Sequence, residues 1–424
     1  MAALPGETYR LAFPTVPDQE NPPYVSYGVP FDEACAHHVA NTFNAKRAYI
    51  IASSSLTRDT NELEKLEDAL RKAGRLAGAW IGIKPHTPWD EVAMATVAAK
   101  QKEADCLITL GGGSLVDGAK AMLLFLANNI TTVPEILEFG NKIIASGAKM
   151  GQRSSDIPCT APTIPLICIP TTLSGGEYTH FTGGTDPETH HKLVMGHPFC
   201  GPRLIINDPK LTITAPEWVW LSTGVRAIDH CCEAYCRTHN PDEEVDEAAL
   251  KGLKLVVPNL LITKEDWTNE EARLKCMLGV NAVTIMLKKR TLPGASHGIG
   301  HQLGPLGVGH GETSCILLPS VMKYNYPVNG TKQDKLKSAL WNEPPAEEVL
   351  RRRGLRESDS DAGDALDAIF RELGMPRSLK EKGIGRQKFD ALAVNSLKDP
   401  CCAANPIPME RKEQVLEILE MCAG

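Results

Sequence analysis

The chain has 424 residues, of which 42% are hydrophobic and 23% charged; that is a packed protein of two or three domains, and neither a disordered nor a fibrous one. A formal net charge of −7 excludes the basic surface that a nucleic-acid partner requires. No run of about 18 uncharged apolar residues suits a membrane span, and the start MAALPGETYRLAFP lacks the basic-then-apolar order of a secretory signal.

In chain order, RAYIIA (47–52) reads as a strand and NELEKLEDALRKAG (61–74) as a helix stopped by glycine. Residues 79–83 read as a strand, and 89–103 as a helix with Pro88 at its start and Asp90 and Glu91 in its first turn. DCLITL (105–110) is apolar without alternation, as a strand buried on both faces is. Glycines follow it, then a helix over 115–127; further strands are expected at 163–169 and 204–207. Strands alternating with crossover helices make a parallel, Rossmann-like sheet, which binds ligands at the carboxyl ends of its strands. Beyond Pro216 the segments 219–239, 243–264, 268–289 and 361–373 read as helices, and 340–363 as a mobile or inserted surface segment. The expected fold is therefore an α/β domain over 1–212 followed by an all-α domain over 213–424. The 13 cysteines are odd in number and lack CxxC spacing. Cys231/Cys232 and Cys401/Cys402 are adjacent, a poor geometry for disulfides, so reduced thiols in the cytoplasm are expected.

The strand ending at Gly111-Gly112-Gly113-Ser114 delivers bare backbone N–H groups to a helix start, which suits a diphosphate; a tight structural turn is the plainer alternative. Gly113 and Gly118 stand at P-loop spacing, but Ala119-Lys120 follows, so a kinase-type reading fails, and no GxGxxG is present. The segment TLGGGSLVDGAKAM (109–122) resembles the GGGSxxDxAK signature of iron-containing alcohol dehydrogenases, and IPTTLSGGEYT (169–179) is similar to that family's PTTxxxGSE(V/A)T loop. The resemblance implies that Gly112, Gly113 and Ser114 hold the pyrophosphate of NADH or NADPH. It places Asp117, Thr171, Thr172 and Ser174 around cofactor and substrate, and Lys192 near the cofactor ribose. The family's NAD-selective members often carry a carboxylate after the first strand; Ser53, Ser54 and Ser55 stand here and would tolerate a 2′-phosphate, unless they only cap the next helix.

The helical half contains His230, then His297-x-x-x-His301 on one helical face, then His310 after a bend rich in glycine. Converging imidazoles suit a divalent metal, whereas a lone histidine on an apolar helix is usually a packing residue. In the metal-dependent relatives that these segments resemble, an aspartate lies four residues before the first histidine, in a pattern like GxDAxxHxxE. Here the segment reads GVRAIDHCCE (224–233), so Arg226 stands at the ligand position. Arginine cannot ligate a cation and carries its own charge. Asp229 is about 100° around the helix from His230 and is not expected to replace the missing ligand. The metal is expected to be lost; were one bound, His230, His297 and His310 would remain as ligands. The maleylacetate reductase branch of the family resembles this chain in such a loss, in GET after His310 (their HAETH) and in the NPxP element Asn405-Pro406-Ile407-Pro408.

Hydride transfer needs a site for the negative charge that develops. Arg226, His230, His297 and His310 supply fixed charge and N–H donors, with Arg226 as a clamp for a substrate carboxylate and His301 as proton donor. Alternatively Arg226 only pairs with Asp229 at i+3 on a surface helix. The expected function is NAD(P)H-dependent reduction of a small anionic unsaturated oxo-dicarboxylate, maleylacetate to 3-oxoadipate, by a homodimer. A metal-dependent dehydrogenase of small alcohols or aldehydes, a lyase like dehydroquinate synthase and a silent binding protein are the alternatives.

Overall fold

The computed structural model describes residues 3–146, 153–189 and 191–424. They form two compact units, 1–215 and 216–424.

The first unit contains all nine described strands: β1 (Thr8–Leu11), β2 (Tyr24–Tyr27), β3 (Ala48–Ala52), β4 (Leu76–Ile81), β5 (Cys106–Gly111), β6 (Leu166–Pro170), β7 (Phe181–Thr185), β8 (Lys192–Gly196) and β9 (Leu204–Ile206). Its helices are α1 (Phe31–Asn41), α2 (Ser54–Asp59), α3 (Glu62–Lys72), α4 (Trp89–Gln101), α5 (Gly113–Asn128), α6 (Val133–Ala145) and α7 (Pro209–Thr212). Seven strands make one sheet in the order β1-β2-β9-β6-β5-β3-β4. All its pairings are parallel except β1 with β2. The central strands β3, β5, β6 and β9 are buried at every residue, which is why they read as unbroken apolar runs. α3 turns Leu63, Leu66 and Leu70 onto this core, beside Ile50, Ile108 and Leu204.

β1, β2 and the β7–β8 hairpin escape the reading from sequence, because β1 and β2 are only four residues long and the hairpin FTGGT/KLVMG is rich in glycine. β4 begins at Leu76, earlier than the expected residue 79, and α5 begins at Gly113 itself.

The second unit is helical: α8 (Glu217–Cys236), α9 (Glu243–Glu265), α10 (Glu270–Val283), α11 (Ile285–Lys288), α12 (Ala295–Leu303), α13 (His310–Trp341, kinked at Asn329), α14 (Pro344–Arg352), α15 (Ala362–Glu372), α16 (Phe389–Ser396), α17 (Pro400–Ala403) and α18 (Lys412–Met421). No strand follows Ile206 among the described residues. Much of the segment 340–363, expected to be a mobile or inserted surface segment, is a packed helix. α14 occupies 344–352 and buries Ala346, Val349 and Leu350, an apolar stripe hidden in sequence by the arginines and glutamates around it. Its Arg352 and Arg353 pair with Glu372 of α15. α12 lies against a core containing Ile299, Leu303, Leu317, Leu392 and Ile418, so the helix that carries two of the histidines is fixed by packing. No described helix is long and apolar enough to cross a membrane.

Candidate active site

In the first unit, three parallel strands deliver their loops to one end of the sheet. Gly112 is the N-cap of α5 and offers no side-chain cap. A Cβ on Gly112 would stand 3.2 Å from Thr172 Cγ2, and one on Gly113 2.9 Å from Ser174 Oγ, so the glycine loop and the loop after β6 pass close together. Ser53 follows β3 as the N-cap of α2; its side chain makes no cap bond and contacts Ser55 Oγ at 3.1 Å. Ser53 also crowds the loop, since a Cβ on Gly111 would lie 2.9 Å from its Cβ. The structure thus brings Ser53, Gly112, Gly113, Thr172 and Ser174 together, with Ser114 and Thr171 beside them in the chain.

Lys120 shows how the second loop is held. Its buried ammonium donates to Gly176 O at 3.0 Å, Thr179 Oγ1 at 2.9 Å and Phe181 O at 2.8 Å, and pairs with Asp117 at 2.8 Å. Asp117 is therefore bound to a lysine of its own helix. Lys192 begins β8 one layer away: Thr87 links the hairpin to the loop, accepting from Thr185 N at 3.1 Å and donating to Ser114 O at 3.4 Å. Bare amides at a helix start, with a carbon-free approach at Gly112 and Gly113, fit the diphosphate of a dinucleotide.

The second unit contains the histidines. α8 turns Arg226, Asp229 and Glu233 inward, all of them buried. Asp229 Oδ2 accepts from Ser296 Oγ at 2.7 Å and Ser314 Oγ at 2.5 Å. Arg226 Nη1 donates to the same Ser314 Oγ at 3.0 Å and lies 3.7 Å from Asp229 Oδ2. The i+3 pair foreseen from sequence is present, but Arg226 is 8% exposed, so this is a buried pair and not a surface one. Glu233 seats α12: it accepts from Gly294 N and Ser296 N, each at 2.8 Å, and takes His297 Nδ1 at 2.7 Å. A carboxylate is favoured at a helix start by the free amides and the dipole. Asn405 of the NPIP element completes the same cap, accepting from Ala295 N at 3.1 Å.

His230 and His297 pack with their rings tilted by 35° and their centroids 4.6 Å apart. Burial, then the Arg226 charge, holds His230 down to about 3, and the same two causes hold His297 well below its ordinary value. Both rings are neutral at pH 7, and His230 Nδ1 and His297 Nε2 are buried with no hydrogen-bond partner among the described residues. Burial and the neighbouring Asp229 push Glu233 upward, against the pull of its two amide donors. His301 shares a face of α12 with His297, ring centroids 6.4 Å apart, and places Nδ1 2.8 Å from Asp399 Oδ2. His310 opens α13, exposed, within electrostatic reach of His297. Glu312 of the GET segment is a capping residue, accepting from Gly309 N at 3.1 Å and pairing with Lys382 at 2.8 Å.

Sequence reasoning missed Glu233, Ser296, Ser314 and Asp399 as parts of this cluster, and set Asp229 aside. Glu233 had a signal, the HxxE spacing after His230; Asp399 had none, because 98 residues separate it from His301.

An iron-containing alcohol dehydrogenase model matches residues 29–209, and the C-terminal model of the same family matches 220–423. The chain belongs to the iron-containing alcohol dehydrogenase family. It is an NAD(P)-dependent oxidoreductase, as that family is. Dehydrogenase FUM7 of Gibberella moniliformis is 39% identical over 95% of this chain and 96% of its own length. Maleylacetate reductase from a Rhizobium strain shares the fold at a TM-score of 0.71, with 22% identity and 94% and 95% of the two chains covered. An alcohol dehydrogenase from Oenococcus oeni shares it at a TM-score of 0.76, with 24% identity over 93% and 96%. The resemblance to the family's metal pattern implies Arg226, His230, His297 and His310 at the ligand positions. The buried guanidinium at the first has no lone pair to offer and repels a cation, so this residue set does not fit a divalent ion held in the family's manner.

Proposed function

We propose that the protein reduces a small unsaturated oxo-dicarboxylate of the maleylacetate class, to 3-oxoadipate or an analogue, with NADH or NADPH and without an essential metal. The observation that carries this reading is Arg226: buried, beside two neutral imidazoles, and making, among the described residues, one hydrogen bond, from Nη1. A fixed guanidinium there binds a carboxylate through paired N–H groups and stabilises negative charge that develops in the transition state. The nicotinamide, when bound, supplies the hydride. Gly112, Gly113 and Ser114 cradle the diphosphate, with Thr171, Thr172, Ser174, Asp117, Lys192 and Ser53 around the rest of the dinucleotide.

The proton balance is simple. Hydride adds to the electron-poor carbon of the conjugated double bond, the electron pair moves to the oxo group as an enolate, and a proton from His301 neutralises it. Arg226, His230, His297 and His310 line the charge that appears.

A second reading is favoured by the two unpartnered imidazole nitrogens, His230 Nδ1 and His297 Nε2: a metal-dependent alcohol dehydrogenase. Following NADPH and NADH oxidation with maleylacetate, before and after exhaustive chelation, separates the two. Undiminished turnover after chelation supports the first reading. A stoichiometric metal whose removal abolishes activity installs the second.

A further inference from the structure

We infer that Asp399 is the positioning residue that fixes the tautomer and aim of His301, so that the proton step is carried by a carboxylate–imidazole dyad; the donor role of His301 rests on the function proposed above. His301 Nδ1 and Asp399 Oδ2 lie 2.8 Å apart, while Asp399 Oδ1 accepts from Cys401 N at 2.9 Å. One oxygen caps the turn α17. The other does something that capping does not require, orienting a ring on a different helix.

The frame around the pair is closely packed. A Cβ on Gly298, one turn from His301, would lie 2.4 Å from Cys402 Sγ and 2.9 Å from Cys402 N, so α12 and α17 touch through a glycine. The exposures differ: the Asp399 side chain is 12% exposed and that of His301 32%, so the carboxylate lies inside and the ring reaches outward. Burial raises Asp399, but the His301 hydrogen bond and charge and the Cys401 amide outweigh it and leave the carboxyl below its ordinary value. An ionised Asp399 holds the proton on Nδ1 and leaves Nε2 as the nitrogen that exchanges a proton with substrate. In reduction the doubly protonated ring gives its Nε2 proton to the enolate, remains neutral with Nδ1–H on Asp399, and is recharged from solvent; Asp399 itself gains and loses nothing.

Asp399→Asn tests this. The amide oxygen still caps Cys401, but its NH₂ group faces Nδ1 and selects the other tautomer. Nitrogen-15 spectra of histidine-labelled protein, with His301 assigned by its loss in His301→Gln, should change from the Nδ1–H to the Nε2–H pattern. With maleylacetate, kcat should fall by about 10- to 1000-fold, while KM and the NADPH dissociation constant stay within about threefold. Asp399→Ser, which keeps a capping oxygen and lacks the reach to His301, should lose kcat likewise at unchanged melting temperature. An unaltered tautomer in Asp399→Asn, or a flipped tautomer with kcat within threefold of the parent, overturns the inference and leaves Asp399 as a cap. The spectra need no turnover, so they decide the tautomer question even if the oxo-dicarboxylate proves not to be the substrate.

Discussion

At the scale of single residues, the chemistry of the second unit turns on Arg226. Its guanidinium and Asp229 form a buried pair bridged by the Ser314 hydroxyl. If Arg226 clamps a substrate carboxylate, Arg226→Ala should raise KM for a dianionic substrate about ten- to a hundredfold, the loss of a charge-assisted bond of roughly 1.5–3 kcal/mol. Nucleotide affinity should be unmoved, because the dinucleotide residues lie in the first unit. The same change strips Asp229 of its counter-charge, so calorimetry should show a loss of stability of up to about 3–5 kcal/mol. Arg226→Asp should repel the dianion and gain zinc affinity, measurable by metal analysis, because it puts a carboxylate one turn from His230. His230 offers a test of sign. It is held down to about 3 in the fold and titrates near 6.5 when unfolded, so below pH 6.5 the unfolded chain takes up a proton that the folded one refuses. Stability is therefore present above pH 6.5 and lost as pH falls, by up to about 1.4 kcal/mol per pH unit. Denaturation of the parent and of His230→Gln at pH 7 and pH 5 should show the parent losing more; equal losses would place His230 in water.

At the scale of elements, the two glycine-bearing starts act alike. α5 begins at a glycine loop that fits an anion from outside the chain, while the amides at the start of α12 are met from within by the Glu233 carboxyl and the Asn405 amide. A Cβ on Gly294 would meet both Asn405 Oδ1 and Glu233 Oε1 at 2.9 Å. For α5, Gly113→Val drives a branched side chain against Ser174 and into the diphosphate's place. Titration with NADH and NADPH should show binding abolished while circular dichroism stays native; retained binding would move the nucleotide elsewhere. The four-residue strands β1 and β2 and the hairpin were not legible because length and glycine content remove the pattern that identifies strands, whereas β5 and β6, buried on both faces, were. α14 was illegible for the opposite reason: six of its nine residues are charged or proline, and the stripe that docks it is only three residues wide.

At the scale of the whole molecule, all 13 cysteines are free and all but Cys159 are buried. Burial pushes thiols such as Cys276 and Cys315 far above the range in which thiolates form at neutral pH. A thiol reagent should label about one cysteine rapidly in the native protein and all 13 in denaturant without reductant. Fewer than 13 in denaturant would reveal a disulfide and an oxidising history. The two units also divide the work: sheet-end loops of the first approach one another around bare amides, and the second packs its ionisable groups on α8, α12 and the start of α13.

By itself the sequence determined what local pattern can carry. Buried strands declare themselves as apolar runs, helices by periodicity, the glycine loop and the histidines by spacing within a turn or two, and Arg226 through the likeness of its segment to the family's GxDAxxHxxE pattern. Only the tertiary structure decided what those residues meet. His301 finds Asp399 across 98 residues, Glu233 and Asn405 converge on the start of α12, and the Arg226–Asp229 pair, legible as an i+3 spacing, is buried and bridged by Ser314 from another helix. The physical reason is that local spacing fixes which face of a helix a side chain occupies, while its hydrogen bonds and its charge state depend on what that face is buried against. That is settled by packing between segments far apart in the chain.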